Sequence, residues 1–129
     1  MVGIAIAAIL ILIAGIVFFM AEPAEKSSPK DRSFSTIQSD ISNGATFLDV
    51  RTPEEYSASH FDGAKNHSLQ LLEAGTMPEI NKADTVYVYC QSGNRSAQAA
   101  NILSNAGYTV IDLGGLRDVE SIGGNLQKG

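Results

Sequence analysis

The stretch Val86-Tyr87-Val88-Tyr89, running into the loop Cys90-Gln91-Ser92-Gly93-Asn94-Arg95 and then a helical segment, limits the possible folds of this chain more than any other part. β-Branched and aromatic residues suit a buried strand, and a short polar loop containing glycine suits a tight turn. Ser96 to Ala106 then has helical spacing, with Ala99, Ile102, Leu103 and Ala106 on one face and Gly107 placed to end it. The same alternation recurs on both sides. Ser35-Thr36-Ile37-Gln38 has the form of a capping box opening a short helix that Asn43-Gly44 ends, and Thr46 to Val50 reads as a strand. Thr52-Pro53-Glu54-Glu55 combines an N-cap, a proline at the first helical position and an acidic first turn, predicting a helix to about Ser59. Ala64 to Asn66 is a candidate short strand, and residues 68–82 are helical turns interrupted by Gly75 and Pro78. Tyr108 to Ile111 reads as a further strand, Gly114-Gly115 as a turn into a last helix, and the tail as frayed. Strands alternating with helices on short connections predict an α/β fold: a mainly parallel sheet with helices on both faces, in three layers.

Cys90, the only cysteine, falls where the best strand ends. In open α/β sheets that end is where ligands bind. The N–H groups of a loop entering a helix can converge on one point, and the helix N-terminus adds positive potential there. Such a setting favours the thiolate, which is the nucleophile. A lone cysteine is also often a small buried hydrophobe. Arg95, which can bring a planar charge over the loop to hold an anion, and Gly93, which permits a positive φ in the turn, favour the catalytic reading.

Composition narrows the function classes. All charges lie beyond residue 21, so the net charge of −5 belongs to the part that follows, and an acidic domain without a basic stripe is a poor nucleic-acid binder. One cysteine excludes an internal disulfide and a C-x-x-C pair, and His60 and His67 have no cysteine partner, so no metal site and no cofactor are expected. Val2 to Ala21 has no charged residue and no polar face; as a helix it would span roughly 30 Å, the thickness of a bilayer core. Residues 1–21 are therefore read as an uncleaved membrane anchor, with a cleaved signal peptide as the competitor. Residues 22–33, rich in Glu, Lys, Ser and Pro, read as a flexible tether, and 34–129 as the folded domain. Lys26, Lys30 and Arg32 follow the apolar run, which by the positive-inside rule leans toward a domain on the cytoplasmic face.

Cys90-Gln91-Ser92-Gly93-Asn94-Arg95-Ser96 resembles the active-site loop of a single-domain rhodanese, a thiosulfate sulfurtransferase. Asp49-Val50-Arg51-Thr52-Pro53-Glu54-Glu55-Tyr56 resembles the Asp-x-Arg segment near the start of such domains, and His60-Phe61-Asp62-Gly63-Ala64-Lys65-Asn66 their His-x-x-Gly-Ala-x-Asn element. Gly107-Tyr108 and Leu113-Gly114-Gly115-Leu116 resemble the closing portion, so the likeness covers residues 34 to about 120 in order. Within the family the chain is most similar to small periplasmic rhodaneses of the phage-shock type, which favours an extracytoplasmic domain. Many rhodaneses carry a tryptophan after the Gly-Gly; here Arg117-Asp118 stand in its place.

The resemblance implies that Cys90 attacks the outer sulfur of thiosulfate, releases sulfite and holds a persulfide that a thiol or cyanide then removes. It implies a substrate-binding role for the loop Gln91, Ser92, Gly93, Asn94 and Ser96 through backbone N–H groups, and for Arg95 as the group that orients the anion or steadies the loop. Asp49 and Arg51 are read as chiefly structural, pinning neighbouring loops, with anion binding by Arg51 as the alternative. His60 and His67 are turn and packing residues, and Tyr87 and Tyr89 core. A monomer is expected. One rival is a non-catalytic binding module on the same fold at the membrane. The other is a cysteine phosphatase, whose loop carries one residue more between Cys and Arg than the four here; that residue adds up to about 3.5 Å of chain, so the shorter cradle suits a sulfur atom better than a phosphoryl group.

Overall fold

The structure is a computed structural model that describes residues 32–129. The anchor expected at 1–21, and the tether as far as residue 31, lie outside the described residues. Among the described residues no helix is long and apolar enough to cross a membrane.

The elements are α1 (Phe34–Ser42), β1 (Thr46–Asp49), α2 (Pro53–Ala58), β2 (Ser59–Phe61), β3 (Lys65–Asn66), α3 (Leu69–Glu73), β4 (Thr85–Tyr89), α4 (Asn94–Asn105), β5 (Thr109–Gly114), α5 (Leu116–Ser121) and β6 (Leu126–Lys128). Four of the strands form a parallel sheet in the order β3-β1-β4-β5. The alternation in β4 decides its two faces. Val86 and Val88, with Cys90 beyond them, point into one apolar cluster with Leu48, Leu69, Leu72, Ala99 and Leu103, under α3 and α4. Tyr87 and Tyr89 point the other way, against Phe34, Ile37, Phe47, Phe61 and Val119, under α1 and α5. A strand buried on both faces needs no polar residues, and β4 has only Thr85 at its start.

Several boundaries differ from the sequence reading for local reasons. Ser33, not Ser35, caps α1, its hydroxyl accepting from the Thr36 N–H at 3.3 Å. Arg32, which the sequence places in the tether, donates to the Tyr87 hydroxyl at 3.2 Å and lies 3.9 Å from Asp40. The Tyr87 hydroxyl in turn donates to Asp40, and burial, then this hydrogen bond, pushes its pKa up to about 12. Thr52 and Glu55 form the reciprocal capping box that opens α2. Helix α4 starts two residues earlier than expected, because Gly93 at φ 99° serves as its N-cap without a side-chain acceptor.

The tail is the largest correction. Instead of fraying, Leu126–Lys128 pairs antiparallel with β2, joining Ser59 to Lys128 and Phe61 to Leu126. Neither strand announces itself in the sequence, since each is three residues long and the pairing spans most of the domain.

Strand β4 is buried and paired on both sides, whereas β2 and β6 pair only with each other. Native-state amide exchange should therefore be slowest in Val86–Tyr89 and distinctly faster in 59–61 and 126–128. Equal protection in the two sheets would contradict this layering.

Candidate active site

The sheet order changes direction at β1, whose neighbours are β3 on one side and β4 on the other. Ligand crevices form at such a switch, outside the carboxyl ends of the strands. Asp49 ends β1 there and Cys90 follows the last residue of β4.

Cys90 is fully buried. Its N–H donates to the Gly114 carbonyl at 2.9 Å, and its Sγ accepts from the Gly93 N–H at 3.0 Å. The loop thus folds back over the sulfur. Ala97 N–H to the Gly93 carbonyl, at 3.2 Å, closes the first turn of α4. The N–H groups of Asn94, Arg95 and Ser96 come before it and have no intrahelical acceptor. The buried Ser96 hydroxyl donates to the carbonyls of Gly93 at 3.0 Å and Gly114 at 3.3 Å, fastening the loop to the end of β5. Gln91, Ser92 and Asn94 are exposed; the Asn94 side chain turns outward to Gln98.

A second wall meets this loop. Leu116 N–H donates to the Gln91 carbonyl at 3.1 Å, and Ser92 bridges Gly115. A Cβ on Gly115 would lie 2.7 Å from the Gln91 carbonyl oxygen and 2.9 Å from the Ser92 backbone, so only glycine permits this approach. The bulge in β5 between the pairs Val88–Asp112 and Tyr89–Gly114 brings the Gly114 carbonyl opposite Cys90. The sequence marks Gly114-Gly115 only as a turn; its role against the cysteine loop depends on a contact no local pattern reveals. The bulge also explains why β5 runs on to Gly114 rather than stopping at Ile111.

Beneath the loop lies a buried ionic cluster. The Asp49 carboxylate accepts from the Arg51 N–H at 2.9 Å, from Arg51 Nε at 3.0 Å and Nη2 at 2.7 Å, and from the Tyr89 hydroxyl at 2.7 Å. Arg51 is 2% exposed, donates to the Ser59 carbonyl at 2.6 Å and reaches toward Gln91 Oε1 at 3.5 Å. Burial works against the Arg51 charge, but the bonds to Asp49 outweigh it, and its pKa is raised. Burial, then the neighbouring Asp49, likewise raises that of Tyr89. Asn66 donates to the carbonyls of Asp49 and Arg51, at 3.0 and 2.9 Å. These bonds pin the ends of β1, β2 and β3 to one another. His60 stacks on Tyr56 with its Nδ1 2.9 Å from the Tyr56 carbonyl, and His67 Nε2 lies 2.8 Å from the Thr76 carbonyl.

Arg95 points toward α2. It meets Glu55 in a bidentate pair, at 2.6 and 2.9 Å, tying α4 to α2. Glu55 is the residue the sequence reading missed as a partner, because capping already accounts for it. The Arg95 hydrogen bond takes the Glu55 pKa down to about 2, and the same pair raises that of Arg95. Arg95 also walls a hollow of about 160 Å³ with Val50, Thr52, Ser68, Leu69 and Gln70. Among the described residues no group of histidine, cysteine and carboxylate side chains is placed to hold a metal ion.

A parallel α/β sheet with a lone cysteine under a tight loop at its switch point places a candidate nucleophile where ligands bind in such sheets. The sequence matches the rhodanese-like domain family over residues 33–121, and the chain belongs to that family. It is 44% identical over 77 residues to thiosulfate sulfurtransferase PspE of Escherichia coli, covering 57% of this chain and 72% of the relative. It is 34% identical over 103 residues to the chloroplastic thiosulfate sulfurtransferase 16 of Arabidopsis thaliana, covering 71% and 84%. Among solved structures it is similar to a rhodanese with anions from E. coli, at TM-score 0.55 and 40% identity, covering 66% of this chain and 99% of that one. With its rhodanese domain and single cysteine, this chain is an enzyme of the sulfurtransferase class.

Gly115→Ala should lower the urea midpoint, by about 1–3 kcal/mol of stability, and cut activity, because the added Cβ meets backbone on the cysteine loop. An unaltered midpoint and rate would remove Gly115 from the site. The Glu55 pKa lies at about 2 when folded, against 4.5 ordinarily, so the ion pair contributes fully above pH 4.5 and is lost as the pH falls toward 2. Urea midpoints measured across that window should fall less steeply in Glu55→Gln than in the wild type.

Proposed function

We propose that the enzyme moves sulfane sulfur from thiosulfate, or from a persulfide or polysulfide, to a thiophilic acceptor through a persulfide on Cys90. The observation that carries this reading is the 3.0 Å hydrogen bond from Gly93 N–H to Cys90 Sγ inside a loop opening α4. Cys90 attacks the outer sulfur of thiosulfate, the sulfur–sulfur bond breaks, and sulfite leaves with the electron pair. The persulfide sulfur carries negative charge near Gly93 and the free N–H groups of Asn94, Arg95 and Ser96, which stabilise it without titrating.

Arg95 steadies the loop through its bidentate pair with Glu55, which ties α4 to α2. The uncharged run Val2–Ala21 anchors the domain to a membrane, and the domain faces outward. Its length and lack of charge support the anchor, and the likeness to small periplasmic rhodaneses supports the outward face, against the basic residues Lys26, Lys30 and Arg32. Protease added to intact cells should remove the domain; digestion only after lysis would place it inside.

The assay of function is sulfur transfer from thiosulfate to cyanide by the purified chain. Thiocyanate should form with the wild type and fall to background with Cys90→Ser. Transfer that survives the substitution, or a wild type that never forms thiocyanate, would overturn the reading, the latter in favour of a binding module.

A further inference from the structure

A larger opening at this end of the sheet borders the cysteine loop. It is a cleft of about 590 Å³ between Gln91 and Ser92 on one wall and Gly115, Arg117, Asp118 and Glu120 on the other. Its size is that of a small-molecule site, which typically holds about 300–1,000 Å³, and exceeds what thiosulfate needs. Gly115 sets its floor by its close approach to the loop.

The charges of the cleft are mixed. Asp118 is committed to the fold, its Oδ2 accepting from the Gly115 N–H at 2.8 Å. Arg117 and Glu120 are exposed and stand three residues apart on α5, where side chains are neighbours. Among the described residues, neither takes part in an ion pair, with the other or with any third group. One cation beside two carboxylates disfavours a dianion. It suits a ligand that brings both a carboxylate and an ammonium group.

We propose that this cleft binds the sulfur acceptor, and that the acceptor is a zwitterionic amino-acid thiol of the cysteine class. Its carboxylate is held by Arg117 and its ammonium group by Glu120, with the thiol directed at the loop. This rests on the Cys90 persulfide proposed above. The acceptor thiolate attacks the outer sulfur of Cys90–S–SH, the bond between the two persulfide sulfurs breaks, and Cys90 departs as thiolate. The acceptor leaves as its own persulfide, with no external oxidant or reductant.

The test loads the full-length chain with thiosulfate, removes excess donor and follows sulfur transfer to four thiols. Cysteine has both charges, mercaptopropionate only the carboxylate, cysteamine only the ammonium and mercaptoethanol neither. Compared per thiolate, cysteine should react fastest, and its rate relative to mercaptoethanol should fall about three- to fivefold in Arg117→Gln and in Glu120→Gln. Mercaptopropionate should respond only to Arg117→Gln and cysteamine only to Glu120→Gln. Ratios that neither substitution alters would overturn the proposal. S-Methylcysteine, which cannot accept sulfur, provides a readout independent of Cys90 chemistry. It should shift the amide resonances of residues 115–120 in both wild type and Cys90→Ser, and a spectrum that does not move would overturn the site even where loading itself succeeds. A chain that binds S-methylcysteine yet gains no sulfur from thiosulfate would instead contradict the persulfide reading.

Discussion

The carboxylate of Asp49, buried at the end of β1, organises everything at the functional end of this sheet. A buried charge is costly unless it is paired and fully hydrogen-bonded, and Asp49 meets that demand by gathering Arg51 and the Tyr89 hydroxyl. Each of those partners makes a further attachment. Arg51 takes the Ser59 carbonyl at the start of β2 and faces Gln91 in the cysteine loop, while the Tyr89 hydroxyl accepts from the Phe61 N–H. Asn66 binds the carbonyls of Asp49 and Arg51 from β3. Four strands and the loop therefore register on one ion pair, so the loop is positioned by the fold and not by its own sequence alone.

Above that cluster the loop is held by a different kind of constraint, which is closeness of backbone. Gly93 turns with a positive φ and caps α4, and Gly115 approaches so near that any side chain would strike Gln91 or Ser92. Ser96 joins the two segments from below. The buried sulfur thus accepts from the Gly93 N–H, a dipole fixed by the fold that favours negative charge on sulfur. Burial of the thiol follows from the same packing, which shields it from bulk solvent.

Much of this was legible from residue order. The β-branched and aromatic run of β4 marked a buried strand, and Thr52-Pro53-Glu54-Glu55 marked the start of α2 to the residue. The position of Cys90 at a strand end, ahead of a helix, also came from local pattern. What escaped was long-range. Glu55 satisfies its capping role locally, so nothing in the sequence signals that Arg95, forty residues on, takes its other face. The pairing of β2 with β6 joins short, mixed segments whose hydrophobic pattern is too brief to read. The extension of β5 through a bulge was hidden because Asp112 and Gly114 look like a turn until the Asp112 side chain is seen accepting from the Gly114 N–H.

The proposed sulfur transfer depends on one chemical species, a persulfide held on Cys90. Intact-mass measurement of the full-length chain after brief exposure to thiosulfate, without reductant, tests it directly. The wild type should gain the mass of a single sulfur atom, localised to the peptide containing Cys90 and removed by cyanide, while Cys90→Ser should gain nothing. A wild-type chain that turns over thiosulfate with no such adduct, or an adduct on any other residue, would contradict the account.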